Sequence, residues 1–162
     1  MNIDSLIGLV NGLDPEQLLP DLELLLTKLV SMIRVAVLAG PTALLILGLV
    51  YTFLAPKEAN HTLGFRCWWG MGSVEAWRFT QKLAGITWAV LGLVMGGVML
   101  YQSGRYPQMP YEQMLFQAAK AIVWQIGIVI VSIMIINIVL IVKFNHRGES
   151  RFAKKKEQTQ PQ

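Results

Sequence analysis

Three uncharged hydrophobic runs, residues 35–54, 83–101 and 121–142, restrict this chain more than anything else in it. An α-helix rising 1.5 Å per residue needs about twenty residues to cross roughly 30 Å of hydrocarbon, which is the length of each run. Backbone amides in lipid must be satisfied within their own segment, so the runs are expected to be helices. Hydrophobic residues make up 54% of the 162 positions and charged residues only 15%, which leaves room for one small membrane domain and is not the build of a soluble enzyme. The expected fold class is an all-α integral membrane protein, with three transmembrane helices preceded by an N-terminal amphipathic helix.

Residues 1–33 form the N-terminal segment. Its first thirteen residues hold Asp4 and no Lys or Arg, so they lack the basic start of a secretory signal and no cleavage is expected. Asp14, Pro15 and Gln17 then read as a helix start, with Asp14 placed to accept from free amides and Pro15 at a first helical position. Leu18, Leu19, Leu22, Leu25, Leu26, Leu29 and Ile33 make an apolar stripe at helical spacing, and Glu23, Thr27, Lys28 and Ser31 fill the other faces. This pattern fits a helix lying in the membrane interface or one packed on a neighbouring domain or subunit, and Pro20 allows a break before it.

Residues 34–142 form the membrane domain. Gly40 and Pro41 fall inside the first run, where a kink is expected, with the carbonyl freed by proline taken up by a neighbouring helix or water. Gly92 and Gly96, with Gly85 and Ala89 on a related face, let helix backbones approach closely, and packing within the chain is favoured over a dimer motif. Gln125 and Ser132 share a face of the third run and are expected to hydrogen-bond to another helix. Without a titratable side chain in mid-span, a proton relay or ion-coupled transporter built from this chain alone is disfavoured.

Orientation follows from positive charge in the connections. Lys57, Arg66, Arg78 and Lys82 lie between the first and second runs, and Lys143, Arg147, Arg151, Lys154, Lys155 and Lys156 follow the third. Between the second and third runs there are only Arg105 and Lys120. Both richer segments therefore belong on the cytoplasmic face, with the N-terminus outside. Residues 143–162 read as a basic, disordered cytoplasmic tail that anchors on anionic lipid and contacts no nucleic acid directly. Tyr101, Tyr106 and Tyr111 fit an aromatic belt at the opposite interface.

The polar, aromatic and glycine-rich connection, residues 55–82, carries most of the remaining information. Gly64, Gly70 and Gly72 indicate tight backbone turns, and Ser73 reads as the N-cap of a helix that continues into the second run, with Glu75 in its first turn. Arg66, among Phe65, Trp68 and Trp69, is placed for a cation–π contact or a lipid phosphate. His61 and Cys67 lack a third group to orient them as base and nucleophile, so no catalytic residue is assigned. The lone Cys67 also leaves no Cys pair for a disulfide, and neither a metal site nor a cofactor is expected.

Asn60, Gly64-Phe65-Arg66, Met71, Ser73, Trp77 and Gly85, at these intervals, resemble the signature of the SdpI family of small polytopic bacterial membrane proteins. Cys67 stands where that family usually has Thr, Trp68-Trp69-Gly70 replaces Pro-x-Ser, and Thr80-Gln81 replaces Ala-Asn. The resemblance spans roughly residues 35–142 and marks the eight matched residues as the functional loop. It implies a non-enzymatic immunity or resistance protein of the bacterial cytoplasmic membrane, because the namesake protects against a bacterial cannibalism toxin. The implied partners are the lipid bilayer, a peptide toxin and, by the namesake's second role, a repressor sequestered at the membrane. The alternative is an accessory subunit of a larger membrane complex.

Overall fold

The computed structural model describes residues 15–59 and 63–151, with side chains from residue 23 onward. Its three long helices are α1 (Pro15–Phe53), α2 (Val74–Gly104) and α3 (Tyr111–Lys143), and short 3₁₀ turns at Trp69–Met71 and Tyr106–Gln108 lie in the two connections. Among the described residues the only strand-like pairing is an isolated bridge between Phe144 and Ser150. All three helices contain a stretch long and apolar enough to cross a membrane.

The helices outrun the uncharged segments that predict them, because local signals beyond the hydrocarbon set their ends. Ser73 caps α2, which begins at Val74, nine positions before residue 83, and its hydroxyl accepts from the Ala76 amide at 3.0 Å, a bond that satisfies one otherwise orphaned donor of the first turn. Pro110 precedes α3, fixing the chain direction just before it. Residues 15–33 and the first span form one continuous helix, α1, with no break at Arg34 or Pro41. On that helix Leu25 and Leu29 of the stripe are exposed, so this part of it is not covered by the described residues. Leu18, Leu19 and Leu22 have side chains outside the described residues.

Glycines make α1 and α2 the tightest pair. The two helices run antiparallel, and a Cβ added at Gly92 would lie 2.8 Å from both the Leu45 Cα and the Pro41 carbonyl oxygen. At Gly85 it would lie 2.7 Å from the Thr52 amide, and at Gly48 2.7 Å from the Ala89 Cα. These obstacles are backbone atoms, so side chains could not adjust around an added methyl group. Gly96 belongs to the same face but contributes less, since its added Cβ meets only Pro41 Cβ, at 3.8 Å. The small residues thus serve packing of α2 on α1.

α3 closes the bundle with fewer, more specific contacts. One buried cluster, at the end holding the 55–73 connection, joins Leu44, Ala76, Ala84, Trp88, Ile136, Leu140 and Phe144. The other, toward the opposite end, joins Val37, Met99, Tyr106, Met114, Ala118 and Ala121. Tyr106, expected in an interfacial belt with Tyr101 and Tyr111, instead points into this second cluster and is fully buried, whereas Tyr101 and Tyr111 are exposed. The 3₁₀ turn at 106–108 folds the ring back under the connection. Elsewhere the surface is apolar, with Leu93, Val94, Val123 and Trp124 exposed as a lipid-facing surface requires.

The segment expected to be a disordered tail is folded at its start. Phe144 is fully buried in the first cluster, and residues 145–149 form a turn in which the Asn145 side chain accepts from the Arg147 and Glu149 amides, each at 2.9 Å. The aromatic side chain at 144 supplies apolar area to bury, which a polar composition average conceals. Residues 152–162 lie outside the described part.

Candidate functional site

The 55–73 connection folds over one end of the bundle and is held there from α2. Gln81 is the central fastening. Its side-chain amide donates to the Phe65 carbonyl and its oxygen accepts from the Phe65 amide, both at 2.8 Å, so a single buried side chain satisfies both polar groups of one loop residue. Four positions earlier on the same face, Trp77 is fully buried and donates its indole N–H to the Pro56 carbonyl at 2.9 Å. Arg78 donates from Nε to the Lys57 carbonyl at 3.1 Å. One turn and a half of α2 therefore grips both the beginning and the middle of the connection.

Glycines let the loop lie this close. Gly64 has φ 130°, a region L side chains rarely adopt, and a Cβ there would stand 2.7 Å from the Trp77 ring. At Gly70 it would meet Cys67 Sγ at 2.8 Å. Phe65 then inserts its ring edge-on against Trp88 at a centroid distance of 5.4 Å, a favoured aromatic geometry. Trp88 in turn donates to Ser132 Oγ on α3 at 3.2 Å, so the loop is linked through α2 to the third helix, and the cross-helix role expected for Ser132 is realised.

Ser73 joins the loop to the segment after α3. Besides capping α2, its hydroxyl donates to the Gly148 carbonyl at 2.6 Å. Gly148 has φ 73°, and a Cβ on it would press on the backbone of Gly72 and Ser73. Alongside, Trp69 stacks at a tilt on His146 with centroids 5.6 Å apart, and Lys143 Nζ sits 3.4 Å from the Phe79 ring centroid, a cation–π contact. The start of the C-terminal segment is thereby part of the site, which sequence reasoning missed because a lone glycine among polar residues carries no docking signal.

Cys67 is half-buried, and burial pushes its thiol pKa up, with hydrogen bonds to the Gly70 backbone and the Thr80 hydroxyl acting in the opposite direction. A thiol so placed stays protonated near neutral pH and is a poor nucleophile. Among the described residues no group of three or more His, Cys, Asp or Glu is arranged to hold a metal ion.

The residues marked in the sequence fall into two sets. Gly64, Phe65, Ser73, Trp77 and Gly85 face inward and build the clasp or the helix contact beneath it. Arg66 and Met71 are on the outer surface, next to Trp68, which is 77% exposed. Asn60 and His61 lie outside the described residues. Gln81, not singled out as a site residue, proves to hold the loop; its position one turn after Trp77 on the same helical face was the available signal.

No curated protein and no solved structure matches the chain. A sequence model of the SdpI/YfhL protein family matches residues 57–143, from the start of the clasped loop to the last residue of α3. This range is narrower than the 35–142 inferred from motif spacing and leaves all of α1 outside. It nevertheless covers more than half of the 162 residues and contains every structural member of the clasp except the Pro56 and Gly148 carbonyls, so this multi-pass membrane chain belongs to the SdpI/YfhL protein family.

Proposed function

We propose that the chain is a non-enzymatic immunity protein of the bacterial cytoplasmic membrane, protecting its host from a membrane-active peptide toxin. Family membership supports the class. The observation that carries the reading is the clasp itself: Gln81 and Trp77 hold the loop backbone and Ser73 holds the Gly148 carbonyl beside it, while Arg66, Trp68 and Met71 are presented outward. A rigid loop displaying a cation, an indole and a thioether binds with little ordering cost. In this reading the loop and the C-terminal segment are cytoplasmic and the N-terminus is outside, as the distribution of Lys and Arg favours. The same exposed surface would retain a repressor at the membrane.

The test is protection. A toxin-sensitive bacterium expressing the chain is challenged with candidate membrane-active peptides, and survival is compared for the unaltered protein, Arg66→Ala and Trp68→Ala at equal membrane abundance. Loss of protection in the folded variants supports the reading. Full protection by both variants refutes the role of this surface.

A second reading, an accessory subunit of a larger membrane complex, is favoured by an open apolar groove of about 860 Å³ between α2 and α3, lined by Val90, Trp124 and Ile128 among others. A stoichiometric protein partner co-purified in mild detergent, with no toxin phenotype, would select it.

A further inference from the structure

A cleft of about 460 Å³ opens between the end of α1 and the beginning of α2, lined by Tyr51, Thr52, Lys57, Arg78, Gln81 and Lys82 among others. Three cations line it, and among the described residues no acid does. Lys57, Arg78 and Lys82 are all exposed, and the acids nearest in sequence, Glu58 and Glu75, form no ion pair with them among the described residues. Two neutral polar side chains of the cleft, Thr52 and Gln81, are already committed. Thr52 donates to the Gly48 carbonyl at 2.8 Å, and both ends of the Gln81 amide are bonded to Phe65. What remains for a ligand is therefore mainly positive charge: the two lysine ammonium groups and the outer nitrogens of Arg78, whose Nε is held by the Lys57 carbonyl, with the Tyr51 side chain on the same wall.

The cleft lies where the chain changes from apolar to basic. Phe53 and Leu54, immediately before its Lys57 wall, are 77% and 69% exposed, as befits residues meeting acyl chains, and α1 ends at Phe53. A ligand that places negative charge beside the three cations and hydrocarbon beside Phe53 and Leu54 matches both surfaces. Arg is suited to phosphate oxygens by its fork of donors and Lys by its point charge.

We infer that this cleft binds the phosphate of an anionic phospholipid headgroup, which docks the loop end of the bundle on the lipid surface. The site is separate from the outward face of Arg66 and Trp68 and does not depend on the immunity reading.

The test uses the full chain in detergent, with retained lipid counted by native mass spectrometry after exposure to phosphatidylglycerol or phosphatidylcholine. The unaltered protein is expected to retain phosphatidylglycerol preferentially. The Lys57→Gln/Lys82→Gln variant is expected to lose about tenfold or more of that retention, since each basic residue near an anionic surface contributes severalfold in affinity. A control, Lys28→Gln/Lys120→Gln, removes the same charge away from the cleft and should retain phosphatidylglycerol normally. If the double variant does not fold, as judged by its helical circular dichroism, Lys57→Gln and Lys82→Gln are compared singly. Retention unchanged in the cleft variants overturns the inference, as does equal loss in the control, which would mean bulk charge. Displacement of the lipid by millimolar inorganic phosphate also overturns it, identifying a site for free anions instead.

Discussion

The side-chain amide of Gln125 donates to the carbonyl of Val37 at 2.9 Å, and Val37 is the residue whose helical donor Pro41 removes. Proline at position i leaves the carbonyl of i−4 unpaired, and in hydrocarbon there is no water to take it up. Gln125 does so from α3. Gly40 completes the arrangement, because a methyl group at that position would collide with the Gln125 side-chain oxygen. Four residues on two helices, Val37, Gly40 and Pro41 on α1 and Gln125 on α3, thus form one unit, in which each substitution is intelligible only with the others.

Breaking and repairing this unit should be non-additive. Gln125→Leu leaves the Val37 carbonyl without a donor and should lower stability by about 1–2 kcal/mol. Pro41→Ala restores a backbone N–H at position 41, so Gln125→Leu should cost about 1 kcal/mol less in that background. Reversible unfolding of the four proteins in mixed micelles measures the coupling, and additivity would mean that the bond contributes nothing net.

The helix contact should be sharply selective among glycines. Gly92→Ala places a methyl against Leu45 and Pro41 backbone and should cost about 2 kcal/mol or more, as overpacking that forces backbones apart does. Gly97→Ala meets nothing within 4 Å and should be neutral or slightly stabilising, by up to about 1 kcal/mol, through helix propensity. Equal melting temperatures for the two variants would contradict the packing described.

Loss of the Gln81 clasp should loosen the loop without unfolding the bundle. Gln81→Leu leaves both polar groups of Phe65 unsatisfied, a cost of about 1–3 kcal/mol. Hydrogen exchange at the Phe65 amide should accelerate by at least about tenfold, with protection in mid-α2 retained. Unchanged exchange at Phe65 would show that the bonds do not restrain the loop.

Cys67 should titrate late. Because burial raises its pKa, alkylation by N-ethylmaleimide should begin at higher pH than for a free thiol. Thr80→Val removes a hydrogen bond that acts to lower the pKa and should shift the onset further upward. The linked stability has a definite sign: the folded state holds this proton more tightly, so the contribution is complete below the unfolded thiol pKa and is lost as pH rises through the folded one. A rate profile matching a free thiol would exclude the buried environment.

Ser73 should have a double role. Ser73→Ala removes the N-cap bond to Ala76 and the bond to Gly148, with an expected cost of about 1–2 kcal/mol. Gly148→Ala, strained at φ 73°, should release the same C-terminal segment while leaving the cap intact. Limited proteolysis after residue 143 should increase in both variants, and resistance equal to that of the unaltered protein would argue against docking.

Features with local causes were legible in the sequence. The uncharged runs, the Ser73 cap, the close-approach glycines of α2 and the need for a partner to the carbonyl freed by Pro41 each follow from a few neighbouring residues. The partners themselves were not legible. Val37 and Gln125 are 88 positions apart and Ser73 and Gly148 are 75, and nothing in the composition around Gly148 distinguishes a docked turn from a solvated one. Tyr106 was placed wrongly for a related reason. A tyrosine near a span end satisfies the interfacial pattern whether its ring faces outward or, as here, packs beneath the connection on Met99 and Met114.

What the sequence determined by itself is the set of segments that must be helical and in lipid, because unsatisfied amides in hydrocarbon leave a twenty-residue apolar run no other inexpensive conformation. Tertiary structure alone decided how the polar connection is used. Whether Gln81 faces solvent or closes on Phe65, and whether Ser73 only caps a helix or also holds Gly148, depends on distant backbone arriving within hydrogen-bonding range, and that range of about 3 Å is set by glycines packing one helix against the next.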